Sequence, residues 1–222
     1  MKQVRAVAGF VVIVVACRLV GPATASAQEV RAWFPTVLQL RLADGWAADI
    51  ELHPRFDDDL TDFELFMIRP SISRQVAEPV TLTAGYAWIG TFEGTRHEQR
   101  IWQQVVFSAD RGPWSLSQRL RLEQRFFEGT RASSWRLRGQ VRASRPVSST
   151  GPWRLSLGTE LLWTLNDARD APPSGWHSHR VIVGLGRPVG RVFIEPAYML
   201  QTSRSQGSVA VDHVIRVTTT LR

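Results

Sequence analysis

The stretch Ser115–Phe127, SLSQRLRLEQRFF, decides the fold because charged and apolar side chains alternate along it. Alternate side chains of a β-strand point to opposite faces of the sheet. One face of this predicted strand carries Arg119, Arg121, Glu123 and Arg125. The other face carries Leu120, Leu122, Gln124 and Phe126. In a soluble protein the charged face would meet water, whereas in a membrane barrel it would line the lumen.

The first 27 residues have the features of a secretory signal peptide. Lys2 and Arg5 precede an apolar run over residues 6–17, and Ala25–Ala27 supply the small residues of a cleavage site. The run is too short to cross a bilayer as a helix. We therefore predict a signal peptide over residues 1–27 and a single domain over residues 28–222. Lipidation at Cys17 stays open as an alternative, because a small residue precedes this cysteine.

Removal of the signal peptide makes the chain only mildly basic. The full sequence has 27 Lys and Arg against 20 Asp and Glu, and Lys2, Arg5 and Arg18 belong to the signal. The remaining 24 basic residues leave a net charge of +4, which gives no reason to expect nucleic-acid binding. Cys17 is the only cysteine, so the mature chain would have no disulfide and no thiolate nucleophile. No cofactor-binding motif is present.

Period-two segments separated by turn-forming residues cover the rest of the chain. Eleven such segments lie near residues 33–42, 46–54, 62–74, 79–89, 97–108, 114–126, 134–145, 153–165, 177–187, 191–202 and 209–221. Their connections alternate between tight turns and longer loops, as in outer-membrane barrels. Bacterial single-chain barrels have an even number of strands. We therefore predict an all-β, antiparallel, up-and-down transmembrane β-barrel of ten or twelve strands.

Strand length and tryptophan placement favour a membrane over water. The predicted strands have about ten to thirteen residues, whereas globular strands average about five or six. Tryptophans stand near their ends, as in the aromatic girdles of membrane barrels. We expect a monomer in the outer membrane that contacts lipid and lipopolysaccharide and is inserted by the outer-membrane assembly machinery. The alternative is a soluble, secreted, lipocalin-like barrel or sandwich.

Several short motifs resemble those of one bacterial family. They are GYAW, EQRIWQQ (Glu98–Gln104), RLRLEQRF (Arg119–Phe126), WRLRGQVR (Trp135–Arg142), LGTELLW (Leu157–Trp163), EPAYMLQ (Glu195–Gln201) and a last strand led by DH. In their order and spacing the chain resembles the family catalogued as domain of unknown function 2490, over nearly its whole mature length. The resemblance implies an outer-membrane β-barrel and implies no activity.

The charged face of the predicted strands supplies the candidate functional residues. The predicted lumen-lining set is Glu98, Arg100, Arg119, Arg121, Glu123, Arg125, Arg136, Arg138, Arg142, Arg154, Glu160 and Arg216, with Glu195 as a further candidate. One hypothesis is that arginine–glutamate pairs close the lumen, since small barrels are filled by side chains. The other is a narrow channel whose arginine excess attracts a small anionic solute.

Enzymatic and metal-binding roles are the weaker hypotheses. An outer-membrane lipid-modifying enzyme would need a serine, a base and a third group in contact. In a regular strand His177 and His179 share one face while Ser178 points to the other, which does not favour a triad. Two histidines do not make a metal site, and the acidic loop with Asp57, Asp58, Asp59 and Asp62 lacks the pattern of a calcium loop. We therefore predict no enzyme and no bound metal.

Overall fold

The computed structural model describes residues 26–57, 62–91, 97–169, 171–205 and 208–222, with backbone alone at 26–29 and 205. Most of the predicted signal peptide lies outside these residues. No helix long and apolar enough to cross a membrane occurs in the ranges just given.

Within the described ranges, twelve β-strands form a single closed sheet. They are β1 (Ser26–Trp33), β2 (Thr36–Arg41), β3 (Trp46–Phe56), β4 (Phe63–Ala77), β5 (Val80–Thr91), β6 (His97–Arg111), β7 (Trp114–Phe127), β8 (Ser133–Pro146), β9 (Arg154–Thr164), β10 (Gly175–Val189), β11 (Val192–Ser205) and β12 (Ser208–Leu221). Each strand from β3 to β12 pairs antiparallel with its neighbour along the chain. The predicted all-β barrel is confirmed, and the strands recorded in the described residues number twelve, where ten or twelve were predicted.

The ring of strands closes in parallel, which the sequence analysis did not predict. Both β1 and β2 pair parallel with β12 on one side and antiparallel with β3 on the other. The two short strands therefore occupy a single place, and the closed ring has eleven places. In an up-and-down ring with an odd number of places, the first and last strands run in the same direction. Their pairing must then be parallel.

Pro35 explains why this N-terminal strand is recorded in two pieces. Proline has no backbone N–H and cannot donate to the ladder. The register nevertheless continues across the break, because Trp33 lies opposite Arg55 and Thr36 lies opposite Leu52. The Phe34 N–H donates to the Pro54 carbonyl (3.1 Å) on one side of the break. The break therefore interrupts the ladder without moving the strand.

The two ends of the barrel differ in the length of their connections. One end has connections of four, two, two, seven and two residues, beginning with β2–β3, and we call it the short-turn end. The other end has connections of six, five, five, ten and two residues, and we call it the long-loop end. Because the ring has eleven places, β1 begins at the long-loop end and β12 finishes at the short-turn end. The described chain therefore enters the sheet at one end of the barrel and leaves it at the other.

The sequence at Asp44–Gly45 suits the tight β2–β3 turn. Both residues have positive φ, 57° at Asp44 and 76° at Gly45. This backbone region suits glycine and tolerates aspartate, which is why Asp-Gly pairs favour short hairpin turns. The local sequence therefore fixes where β2 ends and the chain reverses.

The stretch Ser115–Phe127 forms nearly the whole of β7, and its two faces separate as the alternation requires. Arg121, Glu123 and Arg125 are 3%, 1% and 6% exposed, whereas Leu120 and Phe126 are each 43% exposed. The charged side chains thus point into the barrel and the apolar ones point outward. The same arrangement holds around the sheet, since exposed leucines, isoleucines, valines and aromatics occur on every strand from β2 to β12.

Two small apolar clusters interrupt the polar interior. One contains Trp33, Ile182, Ala197, Met199 and Val214 and joins β1 to the last three strands. The other, which contains Met67, Ala87 and Ile89, lies on β4 and β5. The barrel interior is therefore a packed space with charged and apolar sectors.

Candidate functional site

Glu160 is the centre of the largest group of buried charges. Its carboxylate is 2% exposed and accepts hydrogen bonds from arginines on three strands. Arg138 donates through Nη2 (2.7 Å) and Nε (3.0 Å), and Arg180 donates through Nη1 (3.0 Å). Arg119 reaches the same carboxylate from β7, across the intervening β8. Three guanidinium groups thus converge on one negative charge.

Glu123 lies next to this group and is connected to it by Arg138. Arg138 Nη1 donates to Glu123 Oε1 (3.0 Å) while its other nitrogens donate to Glu160. Arg136 also donates to Glu123, and Arg121 Nη1 lies 3.8 Å from the same carboxylate. Because Glu123 is 1% exposed, these guanidinium groups replace the water that an ionised carboxylate requires.

Glu98 forms a third arginine–carboxylate group on β6. Arg100 donates to both of its oxygens (2.6 and 2.8 Å), and Arg125 from β7 does the same (2.6 and 3.1 Å). Two-point contacts of this kind match the planar guanidinium to the planar carboxylate. Each of the three predicted glutamates, Glu98, Glu123 and Glu160, is therefore held by at least two arginines.

One further pair crosses the interior. Arg142 on β8 contacts Glu195 on β11, with two strands between them in the sheet. The central space beside this pair has a volume of about 200 Å³ and is bordered by side chains from the N-terminal strands through to β12. Side chains from strands that are not neighbours in the sheet therefore meet inside the barrel.

Two buried tryptophans belong to the same interior and were missed by the sequence analysis. Trp102 (3% exposed) lies under the Arg121 guanidinium, whose carbon is 4.1 Å from the ring centroid. Trp33 (4% exposed) lies between Arg55 at 3.9 Å and Arg180 at 5.1 Å. Such contacts are favourable because the negative face of the aromatic ring attracts the cation. The alternation in EQRIWQQ places Trp102 on the same face as Glu98 and Arg100, so a signal for it was available.

Two of the predicted residues lie inside the barrel region but outside the ion-pair groups. Arg154 has no carboxylate partner among the described residues and donates to the hydroxyls of Ser115 (3.3 Å) and Ser144 (3.5 Å). Arg216 forms no ion pair within the described part of the chain, and its buried Nε has no hydrogen-bond partner there. The sequence predicted that these two arginines line the lumen like the others, because alternation shows which face of a strand a side chain occupies. It does not show which residue that side chain contacts across the lumen.

A larger polar chamber opens at the short-turn end. Its volume is about 860 Å³, and its lining comes from both the strands and the turns. Most of its lining residues carry hydroxyl or charged groups, namely Glu78, Ser108, Asp110, Arg111, Ser115, Ser117, Arg142, Ser144, Arg154, Glu195, Thr218, Thr220 and Arg222. The Arg142–Glu195 pair borders both the chamber and the central space, so it forms the chamber's inner wall.

The expected arrangement of His177, Ser178 and His179 is wrong because β10 contains a bulge. Trp176 and Ser178 lie opposite the consecutive residues Trp163 and Leu162, which makes His177 the extra residue. Ser178 is buried opposite the buried Leu162, whereas Trp176 lies opposite the exposed Trp163. His179 bonds Thr159 on the outer surface (2.8 Å). The bulge therefore breaks the regular alternation from which the two histidines were expected to share a face.

No group of three or more metal-ligating side chains is present among the residues that the structure covers. Asp58 and Asp59 of the acidic loop lie outside those residues. Asp57 contacts Arg31 (3.6 Å), and Arg31 also contacts Glu64 (3.0 Å). The part of this loop that can be described therefore belongs to an ion-pair group at the long-loop end.

Comparison with known proteins agrees with the motifs quoted above. The sequence model of a family described as a protein of unknown function (DUF2490) matches residues 30–211. The chain belongs to this family. An uncharacterized protein of Methylorubrum extorquens is 29% identical over 211 residues, which cover 90% of this chain and 91% of that protein. Membership of DUF2490 confirms the resemblance and assigns no reaction.

A solved structure from work on the mechanism of in-meso crystallization of membrane proteins also resembles this chain. Its TM-score is 0.40 at 13% sequence identity, and the match covers 79% of this chain and 71% of that one.

Proposed function

We propose that this DUF2490 protein is a monomeric outer-membrane β-barrel whose interior is closed by arginine–glutamate pairs. The burial of Glu123 and Glu160 among five arginines, beside a central space of only about 200 Å³, carries the proposal. Small barrels are commonly filled by their own side chains. An apolar outer surface around a charged interior is the reverse of a soluble lipocalin-like barrel, so it supports the membrane over that alternative.

Aromatic residues at both ends of the apolar surface support the same placement. Trp135 and Trp163, which point outward at the long-loop end, are 40% and 51% exposed. At the short-turn end three outward tryptophans each stack with an arginine on the next strand. These pairs are Trp46–Arg74 (5.2 Å), Trp114–Arg145 (5.4 Å) and Trp153–Arg187 (5.2 Å). Such amphipathic groups suit the boundary between lipid and water.

Single-cysteine labelling tests the location and the orientation. Short turns face the periplasm in bacterial barrels, so the short-turn end should face inward. Cys17 is the only native cysteine and belongs to the predicted signal. We expect a membrane-impermeant maleimide to label Ala132→Cys in intact cells and to label Ser149→Cys only after the outer membrane is permeabilised. A protein that fractionates with the soluble periplasm would overturn the proposal.

Planar-bilayer recording tests whether the barrel is closed. We expect no conductance steps, because the arginine–glutamate groups fill the interior around a central space of only about 200 Å³. A narrow anion channel is the second candidate, favoured by Arg55 and Arg216, which form no ion pair in the described residues. Regular steps whose anion selectivity falls in Arg121→Glu would establish that second candidate.

We place the expected small anionic solute in the chamber at the short-turn end. Arg154 supports this because its guanidinium donates to hydroxyl groups and forms no ion pair in the part of the chain that the structure describes. Guanidinium and hydroxyl donors together suit a phosphate or carboxylate group. Titration with inorganic phosphate tests the site, and binding that is equal in wild type and Arg154→Gln would exclude it.

The proposal assigns no catalytic step. Ser178 Oγ has no hydrogen-bond partner in the part of the chain that can be described, so no base is positioned to activate it. We expect the lipid composition of the outer membrane to be the same with wild type and with His177→Ala. A lipid product that disappears in this variant would make the protein an enzyme.

A further inference from the structure

An apolar groove lies on the outer wall of the barrel toward the short-turn end. Its volume is about 820 Å³, and outward side chains of β3 to β8 line it, chiefly Ile72, Leu82, Ala84, Val105, Leu120 and Leu137. Ala84 stands between Ile72 on β4 and Gln103 on β6. The groove is thus a depression in the outer surface, because the Ala84 side chain is smaller than those of its two cross-strand neighbours.

A cation lies at the end of the groove nearest the short turns. Arg74 and Trp46 both line it, and their stacked pair is one of the three at this end of the barrel. Arg74 lies directly opposite Trp46 in the β3–β4 ladder and forms no ion pair with any described carboxylate. Its charge is therefore available to an anionic group at the edge of the apolar surface.

The polar groups on the groove wall are satisfied without a ligand. Gln103 lines the groove, and Gln103 and Gln124 exchange amide hydrogen bonds of 3.3 and 3.1 Å. Their polar atoms bond each other, so the wall of the groove remains compatible with a hydrocarbon chain.

The groove borders one of the three tryptophan–arginine pairs and not the other two. Neither Trp114–Arg145 nor Trp153–Arg187 borders it, although both have the same cross-strand stacking at the same end. Only the Arg74 pair, among these three, joins a cation to an apolar cavity.

We propose that this groove binds one phospholipid, with an acyl chain along the groove and the phosphate on Arg74. The apolar lining matches a hydrocarbon chain, and a guanidinium at the membrane boundary matches the phosphate of the leaflet at that end. The inference rests on the proposed membrane location. It adds a single, defined lipid to the annular lipid that any barrel contacts.

Native mass spectrometry of the full-length mature protein, titrated with phosphatidylglycerol in detergent micelles, tests the site. We expect one lipid to bind wild type and the bound fraction to fall about tenfold in Arg74→Gln. Arg145→Gln and Arg187→Gln are the matched controls and should bind as wild type does. Ala84→Trp keeps the cation but fills the groove, and it should also lose the lipid.

Three results would overturn the proposal. Equal binding by all three arginine variants would mean annular lipid only. Binding that persists in Ala84→Trp would show that the lipid does not occupy the groove. Preferential retention of a free fatty acid would show that the ligand is not a phospholipid. A gel shift between unboiled and boiled samples shows that each variant is folded. If the proposed outer-membrane location is wrong, cell fractionation will find the protein in the soluble fraction, which is a separate result from the loss of lipid binding.

Discussion

Arginine side chains have different partners in the middle of the barrel and in the chamber at its short-turn end. In the middle, Arg138 contacts two carboxylates and is 9% exposed, whereas in the chamber Arg154 donates to two hydroxyl groups and to no carboxylate of the described ranges. A charge that is removed from water needs an opposite charge and hydrogen bonds, but one beside open solvent does not. The comparison teaches that the surroundings of an arginine along the barrel, more than the residue type, influence what it contacts. Arg55 and Arg216, which line the central space without an ion pair in the described residues, are the exceptions.

The largest effect should follow from removing the shared acceptor of the middle layer. Glu160→Gln leaves Arg119, Arg138 and Arg180 without their common negative charge, and breaking a buried pair costs about 3–5 kcal/mol. We expect the free energy of unfolding in urea, measured in lipid vesicles, to fall by that amount. Glu78→Gln at the chamber rim is the control. Equal stability of the two variants would contradict the proposed importance of the surroundings.

A matched pair of arginine substitutions should separate paired from unpaired buried cations. Arg138→Met leaves Glu123 and Glu160 with fewer donors, and we expect a loss of about 1.5–3 kcal/mol.

Arg216→Met should behave in the opposite way. It removes a cation that has no ion pair in the described residues, and replacing a buried charge by an apolar side chain of similar volume is often neutral or stabilising. Urea unfolding of both variants makes the comparison. Destabilisation by Arg216→Met equal to that by Arg138→Met would show that Arg216 has an unrecognised partner.

The alternation of side chains was enough to predict much of this contrast from sequence. In β7 it separated Arg121 and Glu123 from Leu120 and Phe126, and the structure places the first pair inside and the second outside. This works because strand geometry is strictly periodic. The sequence contains eleven period-two segments, and the rule that bacterial barrels have an even number of strands led us to expect ten or twelve. That rule assumes that the first and last strands pair antiparallel, whereas this ring closes with a parallel pair.

Other features depend on contacts that no local pattern encodes. The bulge at His177 shifts the alternation by one residue, so regular periodicity does not give the relation between the faces of His177 and His179. The Arg142–Glu195 contact joins residues 53 apart in sequence, and only the curvature of the closed sheet brings them together. The sequence therefore predicted which residues face inward and left the partner of each one undetermined.

The smallest effect on stability should come from the chamber. Arg154→Gln removes two hydrogen bonds to the hydroxyls of Ser115 and Ser144 beside open solvent, so we expect a change within about 0.5 kcal/mol. The same substitution should weaken the binding of inorganic phosphate, because a neutral amide lacks the charge and the planar fork of guanidinium. Isothermal titration measures the affinity, and Arg187→Gln, which lies outside at the same end, is the control. A large loss of stability without loss of phosphate binding would place Arg154 in the structural network and remove the contrast between the two regions.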